Sequence, residues 1–358
     1  LDIALPRHGG GKGEDADIDP FMGAEEAARR RDFTMNAMMR DALTGALIDR
    51  FGGQADIQNR VIRHVDERTF RRDPLRVIRA AQFAARLEFA IAPETMALCR
   101  TLDLGGLARE RVIGEMEKTL TRSRRPSRCF EALREMGQLE PWLKEVAALI
   151  GVKQRADCHP EGDAWTHTML VVDEAAKLRD EAKNPTGLML AALLHDVGKA
   201  VAMQEKDGVI HAYGHETAGV PLAEEFLRRL TGEKALCRYV LNMVELHMKP
   251  NMYAAQNSGQ KAWNRLFDRS ACPEDLLLLA KADHRGRINA APYAETERTI
   301  RARLSAYEEI MARPHITGAD LLARGIQPGE EMGRLLEEAH RLRLAGVKKE
   351  DALRQMRL

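Results

Sequence analysis

The sequence predicts a mainly α-helical protein carrying a small α/β piece near its start. Three observations point there. Leu, Ala, Arg, Glu and Met are abundant while aromatics make up only 5%, a mix that favours helix. Strand-like runs are short and fall before residue 65. From Pro74 onward one helical stretch succeeds another, separated by Gly, Pro and Asn breaks.

In chain order, residues 1–6 read as a short strand and the Gly-rich, acidic stretch 8–19 as a loop. The pattern turns helical from Glu25. Leu47-Ile48-Asp49 and Val61-Ile62 are the last strands expected, separated by a turn at Gly52-Gly53. Pro74 opens a helix through Leu87, with Asp73 placed as its N-cap. Later helices break at Gly105-Gly106, at Pro126, across 158–162 and across 184–187. No internal repeat is evident.

With 358 residues the chain is long enough for two or three domains and a sizeable core. Hydrophobic residues at 44% and charged residues at 30% fit a globular protein. The net charge of +1 says nothing directly about nucleic acid, but its distribution does. Arg60, Arg63, Arg68, Arg71, Arg72, Arg76, Arg79 and Arg86 form one basic stretch, and Arg122, Arg124, Arg125 and Arg128 a second. Either they meet a phosphate-bearing partner or they are solvated helix faces. Cys99, Cys129, Cys158, Cys237 and Cys272 are scattered, odd in number and free of CxxC, as in a reducing, cytoplasmic setting. No apolar run reaches the length of a membrane span, so no membrane partner is expected.

The sharpest chemical signal is His167, His195-Asp196, His215, His247 and Asp283. Taken singly, each His reads as a hydrogen-bonded core histidine. Taken together, an adjacent His-Asp at the end of the apolar run Ala191-Ala-Leu-Leu, with further ligand-type residues on apolar segments, reads as a metal site. A buried His-Asp pair must be desolvated, and a cation satisfies both lone pairs and charge. His167, His195, Asp196 and Asp283 suffice for one ion; His215, placed on a loop, and His247 supply a second. A bound divalent ion lowers the pKa of its water from about 15.7 to roughly 7, and two ions clamp the attacking and leaving oxygens of a phosphoester. Lys199 is placed to steady phosphate oxygens. The catalytic candidates are therefore His195, Asp196 and Lys199.

The second signal is Arg30-Arg31-Asp32-Phe33-Thr34-Met35-Asn36-Ala37. Arg31, Asp32 and Asn36 lie at helical spacing, so that Asp32 and Asn36 share a face, suited to triphosphate and ribose hydroxyls. The plainer reading makes Asp32 a cap and Asn36 a surface residue. Asp73, Arg76 and Arg79 stand three apart, and an Asp with an Arg offers acceptors and donors to a base edge. In Arg111-Val-Ile-Gly-Glu115 an i,i+4 ion pair is expected.

These strings carry a resemblance. The ordered His/Asp set resembles the HD superfamily of metal-dependent phosphohydrolases, and His159-Pro-Glu-Gly-Asp-x-Trp-x-His-Thr168 narrows it to the HD domain fused to bacterial CCA-adding enzymes. The Arg30-to-Ala37 string is similar to the RRDFTINA motif of class II tRNA nucleotidyltransferases and bacterial poly(A) polymerases. Asp283-His-Arg-Gly-Arg287 looks like the family's closing Asp motif, and 316–329 like its tail.

The resemblance implies a partial nucleotidyltransferase head (1–65), a helical neck (66–148), an HD body (149–300) and a helical tail (301–358). It implies addition of C, C and A, or of A alone, to a tRNA or other RNA 3′ end from ATP and CTP with Mg. It implies hydrolysis at an HD site holding Mg, Mn, Ni or Fe. Arg31, Asp32 and Asn36 would contact the incoming nucleotide, Asp73 and Arg76 would read the base, and Arg79 would lie nearer the phosphates. The family has Glu where Arg72 stands, which puts C/A selection in question. The family's D-x-D carboxylates precede the first strand, so this chain is expected to lack them; Asp15, Asp17 and Asp19 come after that strand and read as a solvated loop, with Asp2 a further carboxylate on it. Two other readings stay open: a stand-alone HD phosphohydrolase, and an RNA-binding protein without turnover.

Overall fold

The computed structural model describes residues 21–155 and 159–358. The expected strand at 1–6, the loop at 8–19 with its three aspartates, and Cys158 lie outside the described residues. Within them the protein is mainly α, with three two-stranded sheets.

Leu47–Ile48 and Val61–Ile62 are strands, each in a separate sheet. Leu47–Ile48 pairs antiparallel with Met39–Arg40, and Val61–Ile62 pairs parallel with Ala90–Ile91. The Gly52-Gly53 turn instead starts a helix, Gly53–Gln58, because the Asp49 carboxylate accepts the amides of Gly53 and Gln54 at 2.8 and 2.9 Å. Strands also continue past residue 62. Ala90–Ile91 and a hairpin of Gln204–Lys206 with Val209–His211 are too short and too polar to show a period-2 pattern.

The neck is built on the Leu75–Leu87 helix, which packs against Arg109–Arg122 and Ser127–Glu135. Ala80, Ala81, Ala84 and Ala85 are buried there, and small side chains let the helices approach closely. The helix starts at Leu75 with Pro74 as its N-cap residue rather than Asp73; even so, Asp73 Oδ1 accepts the Leu75 amide at 3.3 Å. The expected Arg111–Glu115 pair is absent among the described contacts, because each finds a partner elsewhere: Arg111 bonds Asp73, and Glu115 bonds Arg79 and Lys118.

The body surrounds one apolar helix, Pro185–Leu194, whose residues 187–194 are all buried. Being apolar all round, it can only sit at the centre of a bundle. Ala164–Leu178, Lys234–Leu246 and Pro273–Arg285 pack around it. Its N-terminus is fixed twice. Asn184 Oδ1 accepts the Gly187 amide at 2.9 Å, and the buried Asp275 carboxylate accepts the amides of Lys183 and Asn184 and the Tyr239 hydroxyl. Each buried leucine contributes about 1.5–3 kcal/mol, so this helix anchors the residues at its C-terminal end.

One hydrophobic cluster runs from Phe33 through the neck to Leu304. The tail has a separate one, around Ile316, Leu321, Met332, Ala339 and Ala352. There Thr317 and Asp320 form a capping box that starts Gly318–Leu322.

Candidate metal centre and nucleotide pocket

The central helix delivers His195-Asp196 at its C-terminal end. His195 is its cap residue there, and the run Leu188 to Val197 is fully buried, so both polar side chains are carried into the core. Three other helices bring theirs to the same point: His167 on Ala164–Leu178, His247 at the end of Lys234–Leu246, and Asp283 on Pro273–Arg285. His215 is not on a loop. It opens the His215–Leu230 helix, because Gly214 takes a left-handed φ of 76° that turns the chain into it. Gly198 holds this helix close: a Cβ there would overlap the His215 carbonyl and the Gly219 amide.

The imidazoles are oriented by their own backbone. His195, His215 and His247 each donate Nδ1–H to the carbonyl three residues earlier, on Ala192, Ala212 and Val244, at 2.9, 2.8 and 2.7 Å. That bond fixes the tautomer and leaves Nε2 as a lone pair. The fourth imidazole, His167, has its Nδ1 2.8 Å from Glu161 Oε1, a carboxylate that also accepts from His159 Nδ1 at 2.8 Å. Sequence reasoning assigns no role to His159 or Glu161, although both lie in the His159-to-Thr168 string. The available signal is their spacing of two, which places both beside one imidazole.

The four Nε2 atoms converge on Asp196. Its Oδ2 is 3.2 Å from His195 and 3.8 Å from His167; its Oδ1 is 3.2 Å from His215 and 3.7 Å from His247. Asp283 Oδ1 stands 3.1 Å from His167 Nε2. Two compact ligand groups result, His167 with His195 and Asp283, and Asp196 with His215 and His247. Each carboxylate oxygen of Asp196 faces one group.

This cage holds more hydrogen-bond acceptors than donors. With Nδ1 donated to backbone, neutral His215 and His247 would present lone pairs to each other across 3.4 Å. His195 Nε2 and Asp283 Oδ2 are buried with no hydrogen-bond partner among the described residues. Such a collection of acceptors is satisfied by protons or by cations. Burial disfavours the charged form of His167, but Asp283 and Glu161 outweigh it and raise its pKa; Asp196 does the same for His215. His247 goes the other way: burial and the neighbouring His195 push it down to about 3. Burial raises the pKa of Glu161, yet the two imidazoles facing it pull it down to about 2. The donor set, nitrogen and carboxylate oxygen in two adjoining groups, fits a pair of divalent ions.

Lys199 is buried beside this cage. Its Nζ donates to Gln154 Oε1 at 2.6 Å and forms an ion pair with Asp196 Oδ2 at 2.6 Å. A cavity of about 440 Å³ opens over Asp196, Lys199, His215 and Asp283, with Lys153, Lys249 and Arg287 on its walls.

The nucleotide candidates sit elsewhere, where the α/β piece meets the neck. Arg31, Asp32 and Asn36 are not on one helix: Phe33 forms an isolated bridge to His64, and Thr34–Asn36 is a single 3-10 turn. The Asn36 amide nevertheless donates to Asp32 Oδ1 at 3.0 Å. Arg79 clamps the other oxygen, with Nε and Nη2 at 2.8 and 2.6 Å from Asp32 Oδ2, and reaches Glu115 at 3.2 Å. Arg79 thus ties the α/β piece to two neck helices instead of standing free for phosphates. The side chains of Asp73 and Arg76 are likewise not paired with each other, although the Arg76 amide donates to the Asp73 carbonyl at 3.0 Å. Arg111 holds Asp73 Oδ2 at 2.7 Å, and Arg76 Nη2 donates to the Arg30 carbonyl at 2.6 Å. Arg76 Nη1 is buried without a hydrogen-bond partner among the described residues. Arg31 is exposed, as is Arg72. The first basic stretch is therefore not one solvated face: Arg76 and Arg79 turn inward while Arg68, Arg71 and Arg72 face solvent.

Residues 12–63 match the family model described as Poly A polymerase head domain, 88–150 the probable RNA and SrmB-binding site of polymerase A, and 164–304 the HD domain. The chain is 35% identical over 348 residues to the multifunctional CCA protein of Actinobacillus pleuropneumoniae, covering 93% of this chain and 80% of that one. It is 38% identical over 346 residues to that of Burkholderia cenocepacia, covering 92% and 79%. The chain belongs to the multifunctional CCA protein family. Its fold is similar to that of a CCA-adding enzyme in an apo form, at a TM-score of 0.63 and 17% identity over 99% of this chain and 76% of that one. It is also similar to the Bacillus stearothermophilus CCA-adding enzyme in complex with CTP, at a TM-score of 0.59 and 24% identity over 93% and 72%. Among the described residues no helix is long and apolar enough to cross a membrane.

Proposed function

We propose that this protein acts on RNA 3′ ends in the cytoplasm with two chemistries: addition of C, C and A to tRNA from CTP and ATP, and hydrolysis of phosphoesters at the HD cage. In this reading the chain divides into a head (1–65), neck (66–148), HD body (149–300) and tail (301–358), and the family matches at 12–63, 88–150 and 164–304 support it.

One observation carries the hydrolase: a single carboxylate, Asp196, whose two oxygens face two separate imidazole groups. His167, His195, Asp283 and Asp196 Oδ2 would hold one ion; His215, His247 and Asp196 Oδ1 would hold the other. When bound, divalent ions lower the pKa of water towards roughly 7 and stabilise charge on phosphoryl oxygens. Four imidazoles favour Mn, Ni or Fe over Mg, which prefers an all-oxygen shell. Lys199 helps keep Asp196 ionised, and its ammonium reaches a phosphate oxygen in the cavity.

In the head, Arg31 and Asn36 contact the incoming nucleotide and Asp32 orients Asn36. Asp73 and Arg76 read the base, supported by the unpartnered Arg76 Nη1. Arg79 acts as a positioning residue, through Asp32. Mg accompanies the nucleotide.

The test uses native-length protein. Phosphoester hydrolysis with added divalent ions is expected to vanish in His195→Ala, while incorporation of labelled CMP and AMP into tRNA lacking its CCA end persists. Hydrolysis surviving in His195→Ala sinks the HD assignment. Unchanged C and A selection in Asp73→Ala sinks the base-reading one.

A further inference from the structure

The cavity over the HD cage is larger than a phosphate requires, and part of its lining is apolar. Met203, Ile210, Met248 and Met252 contribute that part. At the same opening stands Tyr213, 84% exposed. Tyrosine buries much apolar surface when it can, so a ring left this open without a partner protein or lipid needs a reason. Its orientation is set from below. The His211 ring stacks under it with centroids 4.9 Å apart and an interplanar angle of 17°. His211 in turn ends the strand Val209–His211 of the hairpin with Gln204–Lys206, and pairs with Gln204. The upper ring is thus held flat by a strand while its outer face is open.

Its position along the chain matters equally. Tyr213 precedes His215 by two residues, with Gly214 turning between them. Two residues span about 7 Å at most, so the shelf stands one short step from the cage. A ribose carrying a phosphate at one side and a base at the other bridges such a step.

Resting on the hydrolase function proposed for the cage, we infer that Tyr213, braced by His211, is a stacking shelf for the base of a nucleoside phosphoester whose phosphate enters the HD cage. The ligand is a nucleotide or the terminal nucleoside of an RNA; both present the same base and phosphate. The shelf selects by π-stacking, which every base offers, so it discriminates nucleosides from base-free phosphoesters and not one base from another. Tyr213 touches substrate without touching the reacting atoms, and its effect belongs in binding.

The experiment compares adenosine monophosphate with ribose 5-phosphate by calorimetry, without turnover, and a nucleoside 2′,3′-cyclic phosphate with glycerol phosphate in the hydrolysis assay. Wild type is expected to bind the nucleotide about tenfold more tightly than the sugar phosphate. Tyr213→Ala, at an exposed position that leaves the fold intact, is expected to erase that ratio. It should raise KM for the nucleoside substrate about tenfold, with kcat and the glycerol phosphate reaction unchanged. Tyr213→Phe is expected to keep the wild-type values, since the ring and not the hydroxyl does the stacking. Equal effects on both substrates, or no effect on either, overturn the shelf. A wild-type protein that hydrolyses neither substrate with any divalent ion overturns the hydrolase reading itself, a different outcome from loss of selectivity alone. An RNA ending in a cyclic phosphate, bound more tightly than the mononucleotide and equally dependent on Tyr213, identifies the RNA end as the source.

Discussion

The HD cage and the nucleotide pocket are assembled by opposite means. In the cage, three of four imidazoles are aimed by a carbonyl three residues back on the same chain segment. The orienting partner comes with the helix, and tertiary packing only has to bring helices together. Among the nucleotide candidates, each arginine contact comes from far along the chain, Arg79 for Asp32, Arg111 for Asp73 and the Arg30 carbonyl for Arg76, and adds to the local bonds from Asn36 and the Leu75 amide. One site is pre-set locally and buried; the other is complete only when head and neck are docked. The difference predicts that damage to the cage stays in the cage, whereas damage to the pocket spreads.

The largest effect is expected at the atom pair the two metal groups share. Asp196→Asn keeps the shape but removes the charge between the two imidazole groups. Loss of a direct ligand exceeds the tenfold to hundredfold typical of outer partners, so metal affinity and hydrolysis are expected to fall by more than about a hundredfold. Nucleotide binding at the head should be unchanged. Metal content by elemental analysis and CTP binding by calorimetry, on the same sample, check both halves; a fall in CTP binding would break the comparison.

The exception within the cage sharpens it. His167 alone is aimed by a side chain, Glu161, rather than by its own helix. Glu161→Gln is therefore expected to lower metal affinity about tenfold to a hundredfold, a cost no backbone-aimed imidazole can incur by mutation of its orienting group. If Glu161→Gln binds metal as wild type does, the carboxylate is not the orienting group.

How legible each site is in the sequence depends on the same contrast. The ligand residues of the cage can be picked out because adjacent His-Asp on an apolar run is physically costly without a purpose, and helices carry that cost visibly. His215 is found but misplaced on a loop, since Tyr213-Gly214 looks like a turn and the helix begins only after it. Glu161 and His159 go unassigned because a short irregular stretch gives no period. In the head, Asp32 meets both Asn36 and Arg79, but not in the geometry that helical spacing suggests. Asp32 and Asn36 do meet, but through a bridge and a 3-10 turn, not a helix face. Arg79 reads as a phosphate ligand because its true partners, Asp32 and Glu115, lie 47 and 36 residues away. The fold class is plain from composition and breaks. The pairing of two-residue strands is not, because so short a strand is chosen by its neighbours and not by its own pattern.

The two sites should also answer differently to pH. In the metal-free cage, Asp283 with Glu161, and Asp196, raise the pKa of His167 and His215 against their burial, while His247 sits near 3. A raised pKa means the proton is held to higher pH, so a cation must displace it; His247 is already neutral and offers no competition. Metal affinity is then expected to fall as pH drops through the raised values, by about tenfold per pH unit for each proton displaced, and to be flat above them. Proton release on adding Mn in weakly buffered solution measures this directly. The nucleotide candidates Arg31, Asp32, Asn36, Asp73 and Arg76 include no histidine, so nucleotide affinity should vary less over the same range. Metal binding without proton release would mean that the two imidazoles carry no proton to displace.

The smallest expected effect tests the pocket at its most exposed link. Where the family has a Glu beside Asp73 this chain has Arg72, exposed to solvent. The orientation of Asp73 comes instead from Arg111, at 2.7 Å on Oδ2. Both partners are partly open to water, which screens the pair and limits its worth. Arg111→Gln leaves Asp73 and Arg76 in place but frees the carboxylate to turn. About 1 kcal/mol of orientation is lost, roughly fivefold in the preference between CTP and ATP, with little change in the folding midpoint. Competitive incorporation of the two nucleotides measures the ratio, and denaturant unfolding measures the midpoint. A ratio that holds while Asp73→Ala abolishes selection would show that Asp73 is positioned by its own helix start, through the Leu75 amide, as locally as the imidazoles of the cage.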